Sequence, residues 1–137
     1  RVLSAMQNLC PCGSNKKYCD CCQSFHDNLK KCRSAKELLL SRYSAYALGK
    51  YHYIINTTYE TKAKDPIHWS NEIKNAFSGC NFLGIHIYSI TEITNHATIH
   101  FKAKMRCNNK DESFNETSLF IKKSGIWYYQ EPVAGLI

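Results

Sequence analysis

Five of the eight cysteines crowd into the run Cys10-Pro11-Cys12-Gly13-Ser14-Asn15-Lys16-Lys17-Tyr18-Cys19-Asp20-Cys21-Cys22. Thiols at this density either pair as disulfides in an exported mini-protein or hold a metal in a reducing compartment. Neighbours as close as Cys10 and Cys12, or Cys21 and Cys22, are poorly spaced to pair with each other. The residues ahead of them do not read as a secretory leader. A metal site in a cytoplasmic protein is the expectation. Zinc takes four thiolate or imidazole ligands in a tetrahedron, with each sulfur about 2.3 Å away. A tight turn at Cys10 and Cys12 supplies two thiolates, Gly13-Ser14-Asn15 turns the chain, and Tyr18 leads it back to Cys21 and Cys22. Lys16 and Lys17 offset the surplus negative charge, and amides near Gly13 and Ser14 are placed to donate to the sulfurs. Two further ligands compete: Cys19, through the knuckle spacing Cys19-x-x-Cys22, and His26, four residues beyond Cys22. Closed coordination of this kind is structural and supplies on the order of 10 kcal/mol to local folding. Cys32, Cys80 and Cys107 read as free thiols, Cys107 falling on the buried face of its strand.

Elsewhere the residues that could do acid–base work are Arg42, Tyr43, His86, Tyr88, His100 and Glu116. Each has a plainer reading. His100 sits among lysines on a polar strand face, His86 and Tyr88 share a face that either enters a pocket or packs beneath a helix, and Arg42-Tyr43 can brace a helix against a sheet. No general base and acid form a set that can be named. Asn56-Thr57-Thr58 and Asn115-Glu116-Thr117 fit the glycosylation pattern, which carries no meaning without export.

These groups must be positioned by ordinary elements. A 137-residue chain with 44% hydrophobic and 21% charged residues fits one globular domain with a short appendage and argues against disorder. Its longest apolar run, 82–90, is interrupted by Gly84, His86 and Ser89, so a membrane-spanning helix is not expected. Residues 1–33 form the cysteine-rich head and a polar connector, 34–131 the body, and 132–137 a tail. Ser34-Ala35-Lys36-Glu37 predicts a capping box opening a helix: Ser34 accepts from the Glu37 amide and Glu37 returns the bond. Leu38, Leu39, Tyr43, Tyr46 and Ala47 follow at helical spacing and Gly49 ends the run. A second helix is predicted over 51–58 and a third over 69–77, after the break at Asp65-Pro66. From Ala97 to Cys107 apolar and polar residues alternate strictly, the mark of a strand with one buried face. Residues 82–93 read as its hairpin partner, 112–123 as the next strand, and Ser124-Gly125 as the turn into Ile126-Trp127-Tyr128-Tyr129. Helices first and an antiparallel meander after them give an α+β class.

The head resembles the SEC-C motif, the zinc-binding tail of the SecA translocation motor: Cys-x-Cys, eight residues, then Cys-Cys, with Pro-Cys-Gly-Ser and Lys-Lys-Tyr inside. The resemblance implies Cys10, Cys12, Cys21 and Cys22 as the ligands. Asn15 stands where the motif has glycine, and asparagine also tolerates positive φ. Cys19 departs from the usual basic or neutral residue. Further on, 33–51 and the segment Phe120-Ile121-Lys122-Lys123-Ser124-Gly125-Ile126-Trp127-Tyr128-Tyr129 resemble the YchJ-like family of bacterial SEC-C proteins, with 61–81 matching least. That resemblance implies a nuclear transport factor two-like body, a cone of about three helices packed on a curved antiparallel sheet.

The formal charge of +7, reduced to about +5 by four thiolates and one zinc ion (−4 and +2), suits an acidic partner. The resemblance to the SecA tail, which contacts a chaperone and ribosomes, implies a non-enzymatic module whose loop Lys16-Lys17-Tyr18 docks an acidic protein or ribosomal partner. The alternatives are a small-molecule-binding or enzymatic cone with the knuckle as accessory, and nucleic-acid binding through the head and the lysine-rich strand face.

Overall fold

The computed structural model describes residues 8–59 and 65–133. The head is a miniature hairpin followed by one helical turn. Leu9 pairs with Lys17. The Cys10 amide donates to the Lys16 carbonyl at 2.8 Å and the Tyr18 amide to the Asn8 carbonyl at 2.8 Å. The reversal uses positive φ at Gly13 (89°) and Asn15 (63°), so asparagine does take the left-handed geometry its position requires. A 3-10 turn, Tyr18–Asp20, leads into α1, Gln23–His26.

The body opens with α2, Ala35–Leu48. The Ser34 hydroxyl accepts from the Glu37 amide at 3.1 Å, as predicted, but Glu37 returns its bond to the Arg33 amide (2.8 Å), one residue earlier than a capping box places it. The Arg33 guanidinium, 3.0 Å from the same carboxylate, holds it there. Gly49, at φ 73°, closes the helix. Then come α3, Tyr51–Asn56, and α4, Pro66–Ala76. The third helix therefore starts three residues before the predicted Trp69. Pro66 does not break the chain; it fills the first helical position, where no amide is needed, behind the Asp65 cap.

Five strands follow: β1 Cys80–Ile93, β2 His96–Cys107, β3 Lys110–Asp111, β4 Phe114–Lys123 and β5 Ile126–Pro132. They pair antiparallel in the order β1-β2-β4-β5, with the short β3 on β2. Pro132 is thus the last residue of a strand, and 134–137 of the expected tail lie outside the described residues. The alternation predicted for β2 holds: Ala97, Ile99, Phe101, Ala103 and Met105 are buried. The first four meet Leu38 and Leu39 of α2, with Phe120 and Trp127 from β4 and β5, in the main core. A second cluster joins Ala45 of α2 to Ile54, Ile55 and Ile73 of α3 and α4. Leu40 of the same helix packs on the cysteines of the head. Covered on three sides, α2 has no simple polar face.

Two bulges interrupt β1, between Phe82 and Gly84 and between Ile87 and Ser89. The first frees the Gly84 amide, which donates to the Tyr43 hydroxyl at 2.7 Å and ties α2 to the sheet. The bulges also overturn the expectation of free thiols at Cys80 and Cys107, which form a disulfide across β1 and β2. An unbroken ladder counted back from Ile93↔His96 would set Cys80 opposite Asn109. Each bulge consumes one extra residue of β1, and Cys80 faces Cys107 instead. Among the described residues no helix is long and apolar enough to cross a membrane.

Candidate metal centre, groove and cavity

The sulfurs of Cys10, Cys12, Cys21 and Cys22 lie within 4.8 Å of one another. A tetrahedron with metal–sulfur bonds of about 2.3 Å has edges of about 3.8 Å, and the Cys12 and Cys21 sulfurs are 3.6 Å apart. The hairpin contributes the first pair, and the start of α1 the second. Cys10, Cys12 and Cys22 are buried and Cys21 is half-buried, next to the Ser14 hydroxyl at 3.2 Å. The donor set is compatible with a metal in closed coordination. The acidities of the bare thiols point the same way. The Cys22 thiol donates to Cys12 and holds Cys12 well below the usual thiol range; that same bond, with burial, drives Cys22 far above it. Burial raises Cys10 as well. Sulfurs packed this closely oppose one another's ionisation, and a divalent cation would let all of them ionise.

The two competing ligands lie outside this cluster. Cys19 is exposed on the 3-10 turn. His26 has both ring nitrogens engaged elsewhere: its Nε2 is 2.8 Å from the Ser41 carbonyl of α2 and its Nδ1 is 2.6 Å from the Tyr18 hydroxyl. A carbonyl can only accept, so Nε2 carries the hydrogen and Nδ1 accepts from Tyr18. The imidazole is a strut between knuckle and body, and burial lowers its pKa, keeping it neutral. Ser44 stands beside it, its hydroxyl donating to the Ser41 carbonyl at 3.0 Å.

Lys16 and Lys17 are exposed on the hairpin, whereas the Tyr18 hydroxyl is committed to His26. A groove of about 500 Å³ runs where the knuckle meets the end of α2, lined by Leu9, Pro11, Lys17, Tyr18, Leu48 and Lys50, among others. Leu9 and Leu48 are 39% and 43% exposed, apolar surface left bare beside two lysines.

A separate cavity of about 210 Å³ lies between α2 and the sheet. Of the expected pocket residues it takes in Arg42, Tyr43 and Glu116, but not His86 or Tyr88. Those two are exposed on the opposite face of β1. There Tyr88 lies between His86 (ring centroids 4.9 Å) and His100 of β2 (4.8 Å). Ile85 and Ile87 occupy the inward positions; the first bulge sets which parity of β1 faces in. Sequence reasoning missed Ser118 and Tyr129, whose hydroxyls lie 2.5 and 3.4 Å from Glu116 Oε2. The available signal was period two along β4, which puts Glu116, Ser118 and Phe120 on one face.

A family model described as "YchJ, middle NTF2-like domain" matches residues 34–132. A UPF0225 protein of Actinobacillus succinogenes is 34% identical over 140 residues, covering 96% of this chain and 85% of its own. A SEC-C motif-containing protein of Rhodopseudomonas palustris, solved in solution, superimposes with a TM-score of 0.79 at 31% identity over 91% of this chain and 97% of its own. Another from Psychrobacter arcticus, a crystal structure, gives 0.73 at 26% identity over 93% and 83%.

Proposed function

The chain belongs to the YchJ family, with a SEC-C-type head on an NTF2-like body, and we propose that it is a zinc-stapled docking module for an acidic segment of a protein partner. Zinc on Cys10, Cys12, Cys21 and Cys22 is structural in this reading: it fixes the hairpin so that Leu9, Pro11 and Lys17 form one wall of the groove. The observation that carries the proposal is the groove itself, apolar at Leu9 and Leu48 and basic at Lys17 and Lys50. An acidic segment with an apolar side chain complements it, the lysines steering encounter and the leucines burying area. Ribosome-associated proteins are among the candidates. In this reading the compartment is the cytoplasm, where the thiols of the head stay reduced for a metal; the Cys80–Cys107 bridge is open there and closes in oxidising solution.

The test compares the zinc-loaded chain, a Lys17→Glu/Lys50→Glu variant and a Cys10→Ser/Cys12→Ser variant as baits in nuclease-treated lysate. A synthetic peptide from the captured protein is then titrated directly. The expectation is an acidic peptide whose affinity drops at least about tenfold on charge reversal and weakens with salt. Equal capture by all three baits would sink the reading, and capture that nuclease abolishes would replace it with nucleic-acid binding.

A further inference from the structure

Arg42 is only 6% exposed. Its Nη1 lies 2.9 Å from the Ile54 carbonyl and 2.8 and 3.0 Å from the Thr57 and Thr58 hydroxyls. Among the described residues, Nε and Nη2 have no hydrogen-bond partner, and no carboxylate lies within ion-pair distance of the guanidinium. The two ion pairs found are Arg33–Glu37 and His68–Glu72. Tyr129 covers the guanidinium carbon at 4.5 Å, and Arg42 lines the 210 Å³ cavity. Burying this cation is costly: desolvation lowers the pKa of the guanidinium, and Glu116, across the cavity rather than in ion-pair contact, offsets that only in part, though arginine stays protonated. The rest of the lining is largely apolar, including Phe77, Phe82, Ile85, Phe101 and Phe114.

We propose that this cavity binds a small organic monocarboxylate with a ring-sized apolar body, its carboxylate received by Nε and Nη2 of Arg42. Two parallel N–H groups match two carboxylate oxygens, the strongest and most directional pairing available to arginine. An apolar cavity on the order of 150 Å³ takes up benzene, so 210 Å³ accommodates a ring and its acid group. Glu116, in the same lining, opposes any negative charge away from the guanidinium, so the cavity takes a single carboxylate seated on Arg42 and disfavours dicarboxylates and phosphate. One oxygen of Glu116 already receives Ser118 and Tyr129; the other is left to accept from a hydroxyl or amine on the ligand. The site is independent of the groove at the knuckle.

The experiment titrates the zinc-loaded, isotope-labelled full chain with benzoate, phenylacetate and isovalerate, with benzyl alcohol as the neutral control, and follows amide and arginine Nε–H resonances. The expected result is a saturable shift of the Arg42 Nε–H and of cavity residues, with at least one acid about tenfold tighter than the alcohol. Arg42→Gln should remove that preference. Because Arg42 also serves three backbone and hydroxyl oxygens and its loss endangers the fold, Ala103→Leu, which fills the cavity from β2, is the second variant; it should abolish binding while the spectrum stays dispersed. Failure of all three acids to saturate at millimolar concentration overturns the proposal, as does equal affinity for the alcohol or binding unaffected by Ala103→Leu. Partner capture by Ala103→Leu is expected to be unchanged, so the cavity and the groove fail separately.

Discussion

At the scale of single residues, the instructive case is His26. Its spacing from Cys22 reads as a ligand on one helical turn, and a search for metal sites by residue type alone includes it. What removes it is its two partners: the Ser41 carbonyl of α2 and the Tyr18 hydroxyl of the head engage both ring nitrogens. Neither partner is adjacent in sequence, so no local pattern reveals them. The four cysteines were legible because two close pairs, separated by a turn, leave few other ways to satisfy their chemistry. This gives a sharp contrast. His26→Ala is expected to retain one zinc per chain by metal analysis yet lower stability by about 1–3 kcal/mol, the worth of two partly buried hydrogen bonds. Cys22→Ser is expected to lose the metal. Metal loss from His26→Ala would return the imidazole to the ligand set.

Elements obey a different logic, in which a terminus or a register matters more than a side chain's identity. The start of α2 was readable from Ser34 and Glu37, although the returned bond goes to Arg33. Burial alone would raise the Glu37 carboxyl. The Arg33 amide and guanidinium outweigh it and hold the pKa below its ordinary 4.5. A carboxylate depressed in the folded state stabilises it above its unfolded pKa, and that contribution fades as pH falls through the folded value. Glu37→Ala should therefore cost about 1 kcal/mol in urea denaturation at neutral pH, with the gap to the parent narrowing once the pH drops below 4.5. In the sheet, the four long strands and their order were legible from alternation and turns, but the short β3, which occupies an expected turn, and the bulges of β1 were not. An uninterrupted apolar run does not say where an extra residue is inserted. The positions of His86, Tyr88 and the Cys80–Cys107 pair all depend on that insertion. Peptide mapping without reductant is expected to recover Cys80 joined to Cys107. Cys107→Ser should lower stability by about 2–4 kcal/mol, a difference that a phosphine reductant erases.

For the molecule as a whole, α2 is the member against which the sheet, the other helices and the knuckle are all assembled. The class and the order of parts could be read from the sequence, because helix period gives way to strand period near position 80. The cavity could not, since its walls come from α2, β1, β2, β4 and β5, and only the assembled sheet brings Arg42 and Glu116 into one space. Chelation of the metal is expected to release amide protection around residues 8–28 while β2 and β4 retain theirs, because the main core lies in the body. Simultaneous loss throughout would mean that head and body unfold as one unit.

Successive residues of one turn of α2 serve separate neighbours. Leu40 meets the cysteines, Ser41 gives its carbonyl to His26, Arg42 enters the cavity and Tyr43 holds the bulge of β1. The knuckle is consequently no interchangeable cassette. Severed from it, the body would present a bare leucine, a carbonyl short of its imidazole donor and an uncovered serine hydroxyl on its central helix, an adhesive scar in any minimal fragment. Grafted elsewhere, the knuckle would need a host helix offering the same three features in the same turn.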